Sequence, residues 1–491
     1  MSYITIDSST SSTTVLVFDD ELVIKSKFQK EHKQIYTKEG FVEHDLEEIF
    51  QNLLNLIREA SKIAPNPRFI SLTNQRETFA LFEKNTGNPI HNAVVWQCTR
   101  GKKFCDEISK NEDNSDIILN KTGLKISSFF SASKLMWMVE NYPEIKSKLR
   151  NGEILFGTID TYLIYRLTNL KFYITDTTNA SRTLLFNCEK NVWDDELLSL
   201  FNVSGLSLPE IKNSADNFGE SNFDNIFNKE IPICGVAGDA QASFFANKCF
   251  NKGDTKITTG TGFNIQTNIG NDFIKDSNFF TSLAFTNQNQ NTYALECLSS
   301  FAGATISWLK NDLKIINSPN ESEIISKNLD NNGGVYLIPA FTGLGPPYWQ
   351  PDAKAAFYGI SASTSKNHLV RASLESVAYQ MVVYLEYLGS KKNIKPKKLS
   401  IDGGMVKNIF FVQMIADLLN IEINIPDVEE MSSYGSLLFG MQKFNSINNL
   451  ADLDNFGVRS KKISPKKNQI ISDSYNAWKE IIDKHFHKNQ Q

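Results

Sequence analysis

Several short stretches of the 491-residue sequence carry groups able to do chemistry. Asp7-Ser8-Ser9-Thr10-Ser11-Ser12 directly follows an apolar run, Tyr3 to Ile6. A carboxylate at a strand end can hold a hydrated Mg²⁺, and a hydroxyl-rich turn offers N–H and O–H donors to phosphate oxygens. The same residues suit a plain polar hairpin turn. Gly260-Thr261-Gly262 and Asp402-Gly403-Gly404 also sit at strand ends. Their glycines can let a flat ring approach the backbone, or can simply make a tight turn. Asn74-Gln75-Arg76-Glu77 sets an arginine beside a glutamate at the junction of two apolar runs. Such a pair can donate to and accept from neighbouring hydroxyls, or be a surface ion pair worth little. Gly238-Asp239 puts a carboxylate where an apolar helix opens. The helix field favours the ionised form there, although an N-cap aspartate is the commoner use of that position.

The elements that must position these groups are legible from periodicity. Strands are predicted over Tyr3 to Ile6, Thr13 to Phe18, Leu22 to Phe28, Phe69 to Thr73, Glu77 to Phe82 and Ala93 to Trp96. Leu46, Ile49, Phe50, Leu53, Leu54 and Ile57 make one helical stripe, with Asp45 as cap and Glu48 placed to close a capping box. A second set of signals starts near Ile231. It comprises strands over Ile231 to Ala237, Lys256 to Thr259, Asn264 to Thr267, Leu399 to Ile401 and Ile421 to Ile425. Helices fit Ala240 to Ala246, Phe301 to Leu313, His368 to Leu388 and Ile409 to Leu419. Strand hairpins interleaved with helices in both halves indicate an α/β chain of two similar lobes. The boundary is placed near residue 248, giving 1–248 and 249–491.

Composition removes several classes. A formal net charge of −4, from 51 Lys and Arg against 55 Asp and Glu, argues against nucleic acid or an anionic membrane as the main partner. No window reaches the roughly 18 uncharged apolar residues of a membrane span, and the first residues predict no secretory signal. Six cysteines without a C-x-x-C pair, and six histidines without ligand spacing, predict buried free thiols and no structural zinc. These features predict a cytoplasmic setting. There is no G-x-x-x-x-G-K-[ST] and no H-R-D or D-F-G triplet, which excludes P-loop enzymes and protein kinases. Ser131-Ala132-Ser133-Lys134 and Lys121-Thr122-Gly123 match serine β-lactamase motifs, but in the wrong order and too close together.

Longer blocks then act together. They include Gly40 to Asp45, Ser71 to Thr78, Ala93 to Cys98, Phe156 to Thr161, Thr178 to Thr183, Pro339 to Gly345 and Pro347-Tyr348-Trp349. Two signatures are whole: Phe129 through Asn141, centred on Lys134 and Trp137, and Ala355 through Glu375. From Tyr3 to about Lys443 the chain resembles the FGGY carbohydrate kinases, most closely their glycerol-phosphorylating branch. The resemblance implies a two-lobed actin-like (ribonuclease H-like) ATPase fold, duplicated, with the active site in the interlobe cleft. ATP and Mg²⁺ are the implied cofactors and a small polyol the implied partner. Members are often homodimers or homotetramers. By the same resemblance Asp7 would hold Mg²⁺ through water. Thr10, Ser11 and Ser12 would face the phosphates from one lobe and Gly260 and Thr261 from the other. Gly303, Ser307, Gly404, Met405 and Asn408 would line the nucleoside site. Arg76, Glu77 and Trp96 would hold the polyol, and Asp239 would be the general base.

The departures from the family pattern cluster in the site. Ser8 and Ser9 stand where glutamine and glycine are usual. If that glycine has positive φ, Ser9 costs on the order of 1 kcal/mol or forces another turn. Thr14 replaces a usual arginine, Phe129 a tyrosine, Ala240 a glutamine and Asn264 a phenylalanine. Each unmade hydrogen bond to a polyol costs roughly 1 kcal/mol. Three readings stay open: a glycerol kinase making sn-glycerol 3-phosphate; an FGGY kinase for another small sugar or polyol, with Phe129, Ala240 and Asn264 reshaping the pocket; and a degenerate kinase that only binds.

Overall fold

The computed structural model describes residues 1–445, 447, 449–456 and 458–486. The chain forms two compact units. The first comprises Met1–Lys248, Asn271–Ala294 and Glu430–Gly457, and the second Cys249–Gly270, Leu295–Glu429 and Val458–Gln491. Two segments beyond residue 248 therefore build the first unit.

In the first unit a six-stranded sheet runs in the order Asn217–Ser221, Ile231–Gly238, Ile70–Asn74, Ser2–Ser8, Ser12–Asp19, Ile24–Glu31. The three strands Ile231–Gly238, Ile70–Asn74 and Ser2–Ser8 are parallel neighbours, flanked by antiparallel hairpin partners. Both faces are covered, so Ile4, Ile6, Val15, Val17, Ile70, Leu72 and Val236 are all buried. Helix Leu46–Ile63 buries its whole predicted stripe, each large side chain contributing about 1.5–3 kcal/mol. Asp45 caps it, accepting the N–H groups of Glu47 at 2.9 Å and Glu48 at 3.1 Å, worth about 1 kcal/mol. Glu48 does not close the expected box; its carboxylate accepts the Lys33 N–H at 3.3 Å instead.

A five-stranded antiparallel sheet completes this unit, in the order Gln34–Tyr36, Val42–His44, Ala93–Val94, Phe79–Glu83, Ile154–Thr158. The chain passes from one sheet to the other across residues 75–78. That is why the second strand starts at Phe79 and not at Glu77: Glu77 has φ +62° and breaks the extended run.

Helix Met431–Phe444 packs on helix Asp239–Ala246, and Phe245 stacks on Phe439 at 3.9 Å. A Cβ at Gly435 would lie 1.8 Å from the Ala242 carbonyl oxygen, so only glycine lets the two backbones touch.

The second unit repeats the plan. Asp254–Thr259 and Phe263–Gly270 form a hairpin, Lys398–Gly403 pairs parallel to the first of these, and Ile423–Pro426 and Ser460–Ile463 extend the sheet. A hairpin whose first strand then pairs parallel to a later strand is the arrangement of Ser2–Ser8, Ser12–Asp19 and Ile70–Asn74 as well. The turns at residues 9–11 and 260–262 are therefore equivalent positions in a duplicated fold. Helix Gln469–Phe486 seats Trp478 on Tyr379 and Tyr475 in this unit's core, its indole N–H donating to the Leu337 carbonyl at 2.8 Å. All six cysteines are free and buried. Among the described residues no helix is long and apolar enough to cross a membrane.

Candidate active site

Three neighbouring parallel strands deliver the chemistry of the first unit. Their register sets Ser8 beside Asn74 and Asn74 beside Gly238. Asp7, Arg76-Glu77 and Asp239 consequently emerge at the same, carboxyl-terminal edge, where open α/β sheets bind ligands.

Arg76 is buried. Its Nε lies 3.5 Å from Asp239 Oδ1 and 3.9 Å from Glu77 Oε1, and its Nη1 donates to Gln241 Oε1 at 3.1 Å. A Cβ at Gly238 would meet Arg76 Cγ at 2.7 Å, so the glycine clears the path of that side chain. Glu77 is buried too, its Oε1 accepting from Arg182 Nε at 2.6 Å. Its left-handed backbone is uncommon for a glutamate, and such strain gathers at functional sites. The Arg76-Glu77 pair is therefore not a surface ion pair.

Asp239 is the first residue of helix Asp239–Ala246, and Gly238 is the N-cap. The N-cap role is thus taken by the glycine. The Asp239 side chain is 39% exposed, with Oδ1 accepting the Ala240 N–H at 2.7 Å. Arg76 and the helix N-terminus both face this carboxylate, which remains open to a ligand.

Asp7 is half-buried, and its Oδ1 is sealed from solvent with no hydrogen-bond partner among the described residues. Burial, then the like charges of Asp239 and Glu430, push its carboxyl up to about 8 against the opposing Lys27. An orphaned acidic oxygen beside other carboxylates fits a divalent cation. Among the described residues no group of three or more His, Cys, Asp or Glu forms a metal cage. A cation here would be held by Asp7 through water together with ligand oxygens.

The first turn is unstrained. Ser9 has no positive φ, so the cost expected for replacing glycine there is not incurred. Its N–H and its hydroxyl both donate to the Ser12 carbonyl, at 3.0 and 2.8 Å. Thr10 Oγ1 accepts the Trp96 indole N–H at 3.0 Å, and Ser11 is exposed. Ser12 is buried, its hydroxyl accepting from Gln29 at 2.9 Å. Thr14 is the register partner of Asp7.

Trp96 and Phe129 stand ring to ring at 5.2 Å, both partly exposed. Beneath them the buried Lys134 ammonium donates to the carbonyls of Val95, Trp96 and Phe129, at 3.3, 3.3 and 2.9 Å. Burial pushes this lysine down to about 7, with Glu77 opposing. Ala240 is half-exposed on the helix that starts with Asp239.

In the second unit Gly260, Thr261, Gly303, Ser307, Gly404, Met405 and Asn408 all line one cavity of about 470 Å³. Ile306, Leu374 and Pro319 give it apolar walls, and Ser318, Asn320 and Ser322 polar ones. That mixture suits a flat heterocycle with a polar tail. A Cβ at Gly260 or Gly404 would touch nothing within 4 Å, so packing does not require glycine there; Gly403 beside it, at φ +91°, makes the turn. Asn264 stands on Phe263–Gly270, outside this lining, with a buried Oδ1 that lacks a partner among the described residues.

Arg182, Gln241 and Lys134, which hold Glu77, Arg76 and the Trp96–Phe129 pair, had no roles from spacing. Their contacts span up to 165 residues of sequence, and only their presence in recurring blocks pointed at two of them.

Two family models match the chain. Residues 2–246 match the model of the N-terminal domain of the FGGY family of carbohydrate kinases, and residues 256–443 that of its C-terminal domain. The chain is 41% identical to glycerol kinase 1 of Thermotoga maritima over 99% of both chains. It is 38% identical to the glycerol kinase of Francisella philomiragia over 98% of this chain and 97% of that one. The crystal structure of Plasmodium falciparum glycerol kinase with ADP superposes with a TM-score of 0.93 at 34% identity, covering 98% of each chain. Xylulose kinase from Lactobacillus acidophilus shares the fold, with a TM-score of 0.89 at 20% identity over 99% of both chains.

Proposed function

The chain belongs to the FGGY family of carbohydrate kinases, and from that premise we propose that it is an ATP-dependent glycerol kinase making sn-glycerol 3-phosphate. The observation that carries this reading is the delivery of Asp7, Arg76-Glu77 and Asp239 to one edge by three adjacent parallel strands. Full-length similarity to glycerol kinases at 41 and 38% identity supports glycerol as the acceptor.

In this reading the first unit holds the acceptor. Arg76 donates to and Glu77 accepts from adjacent glycerol hydroxyls, while Trp96 and Phe129 cover the carbon chain. Lys134 keeps those two rings in place from below. Phe129 gives apolar contact without a hydroxyl, so orientation rests on Arg76 and Glu77. Asp239 accepts a hydrogen bond from the attacking hydroxyl, aligns its lone pair and takes its proton as the bond to phosphorus forms. Thr10 Oγ1 accepts from Trp96 and keeps its own proton for a phosphate oxygen; Ser11 adds a second donor. Mg²⁺, associated with Asp7 through water, would neutralise phosphate charge. The second unit carries the nucleoside in the cavity lined by Gly303, Ser307, Gly404, Met405 and Asn408, with Gly260 and Thr261 toward the phosphates. Transfer of this kind is positioning and charge neutralisation more than covalent chemistry.

The test is ADP release from Mg-ATP with no acceptor, glycerol, dihydroxyacetone, erythritol, xylitol or ribulose. Highest kcat/KM with glycerol is the expected result. Preference for a longer polyol would replace glycerol by that acceptor and make Phe129 and Ala240 its determinants.

A further inference from the structure

Arg76 and Asp239 hang from strand ends whose last residues, Asn74 and Gly238, are register partners. Beyond the strand ladder, both residues are held through neighbours of a single buried carboxylate, Asp176. Asp176 ends strand Ile174–Asp176 and caps the short turn of helix Thr177–Ala180. Its Oδ2 accepts from Thr178 N at 2.9 Å, Thr178 Oγ1 at 2.7 Å and Ser214 Oγ at 2.7 Å. Its Oδ1 accepts from Asn179 N at 2.9 Å and Asn179 Nδ2 at 2.8 Å.

Two arms leave this hub. The Thr178 hydroxyl spends its only proton on Asp176, so its lone pairs accept the Gly238 N–H at 2.8 Å. That amide precedes Asp239. The Asn179 amide spends one proton on Asp176 and the other on Asn74 Oδ1 at 3.0 Å, while its oxygen accepts Asn74 Nδ2 at 3.0 Å. Asn74 Nδ2 also donates to the Gln75 carbonyl at 2.8 Å, next to Arg76. Every proton in both arms has one possible direction, and the direction is set by the charge on Asp176. Burial raises the carboxyls of both Asp176 and its neighbour Asp160, whose Oδ2 accepts from Thr175 Oγ1 at 2.8 Å, and the hydrogen bonds donated to Asp176 by Thr178, Ser214 and Asn179 favour its charged form.

We infer that Asp176 is a positioning residue for phosphoryl transfer, holding the general base through Thr178 and Gly238 and the polyol clamp through Asn179 and Asn74. The inference rests on the functional reading above. It differs from a purely structural role in predicting that the arms separate kinetically.

The experiment is steady-state kinetics in glycerol and in ATP on the full chain, with melting temperatures alongside. Thr178→Val removes the hydroxyl and should lower kcat roughly ten-fold while glycerol KM stays within about two-fold; Thr178→Ser should restore kcat to within about two-fold. Asn179→Ala should raise glycerol KM roughly ten-fold with a smaller change in kcat. ATP KM should move in neither. If Thr178→Val does not fold, Thr178→Ala removes the same hydroxyl without the second methyl and reads the same arm. Folded variants with lower melting temperatures and wild-type constants would overturn the inference, as would variants in which kcat and KM change alike at both positions. A wild-type chain silent with glycerol would overturn the functional reading instead, whereas wild-type turnover with unaffected variants overturns only this one.

Discussion

Arg76 Nε lies 3.5 Å from Asp239 Oδ1, and the two side chains leave adjacent parallel strands whose backbones are in register. The cation next to the proposed base is therefore held two residues beyond a strand end, in the buried crossing between the two sheets. Arg76→Lys keeps the charge but loses the planar fork that reaches Gln241 and, in the proposed function, the acceptor. Glycerol kcat/KM should fall by ~10²-fold or more, while ATP KM, read in the second unit, changes little. Steady-state kinetics in both substrates check this.

Asp7 is expected to trade stability for function. Its Oδ1 is buried without a partner among the described residues and faces the like charges of Asp239 and Glu430. Asp7→Asn removes the repulsion and should raise the first unit's melting temperature in metal-free buffer by about 2–4 °C per kcal/mol regained. Turnover should drop by ~10²-fold or more. Calorimetry with a coupled ADP assay measures both.

His44 predicts acid sensitivity. Burial, and then the neighbouring His32, hold it at about 3 in the folded chain, against an ordinary value near 6.5. The unfolded chain takes the proton first as pH falls, so this contribution is complete above about pH 6.5 and is lost as pH drops toward 3. The loss amounts to a few kcal/mol at about pH 4. Urea unfolding at pH 7.5, 5.5 and 4.5 should show declining stability, with a shallower decline in His44→Gln.

How much of this was legible in the sequence depended on whether the signal was local. The stripe of Leu46–Ile63 and its Asp45 cap were readable because periodicity and capping lie within a few residues. The hairpin turns at Ser9 and Gly260 were visible as positions, yet their meaning came only from longer recurring blocks. Helix Met431–Phe444 left no stripe, because it is buried nearly all round and carries Gly435 and Gly440 where other backbones touch it. The long-range partners Arg182 on Glu77 and Gln241 on Arg76 carry no spacing signal at all. The strain expected of Ser9 does not arise, because the turn closes on the Ser12 carbonyl with a negative φ, an outcome that the missing glycine alone cannot signal.

Gly404 separates packing from ligand space. A Cβ there meets nothing within 4 Å, and the residue lines the cavity of about 470 Å³. Gly404→Val should leave the melting temperature within about 2 °C and glycerol KM unchanged, while ATP KM rises about ten-fold, equivalent to ~1.4 kcal/mol. Isothermal titration with an ATP analogue checks the binding step directly.

The most direct test of the account is single-turnover phosphoryl transfer from ATP to glycerol by the wild-type chain and by Asp239→Asn, with glycerol affinity measured in parallel. The wild type should form glycerol 3-phosphate rapidly and only when glycerol is present. The transfer rate should be lower by ~10²–10⁴-fold in the variant, with glycerol binding kept within about ten-fold because Arg76 and Glu77 remain. Transfer by Asp239→Asn within ten-fold of wild type, or no transfer to glycerol by the wild type itself, would contradict the account.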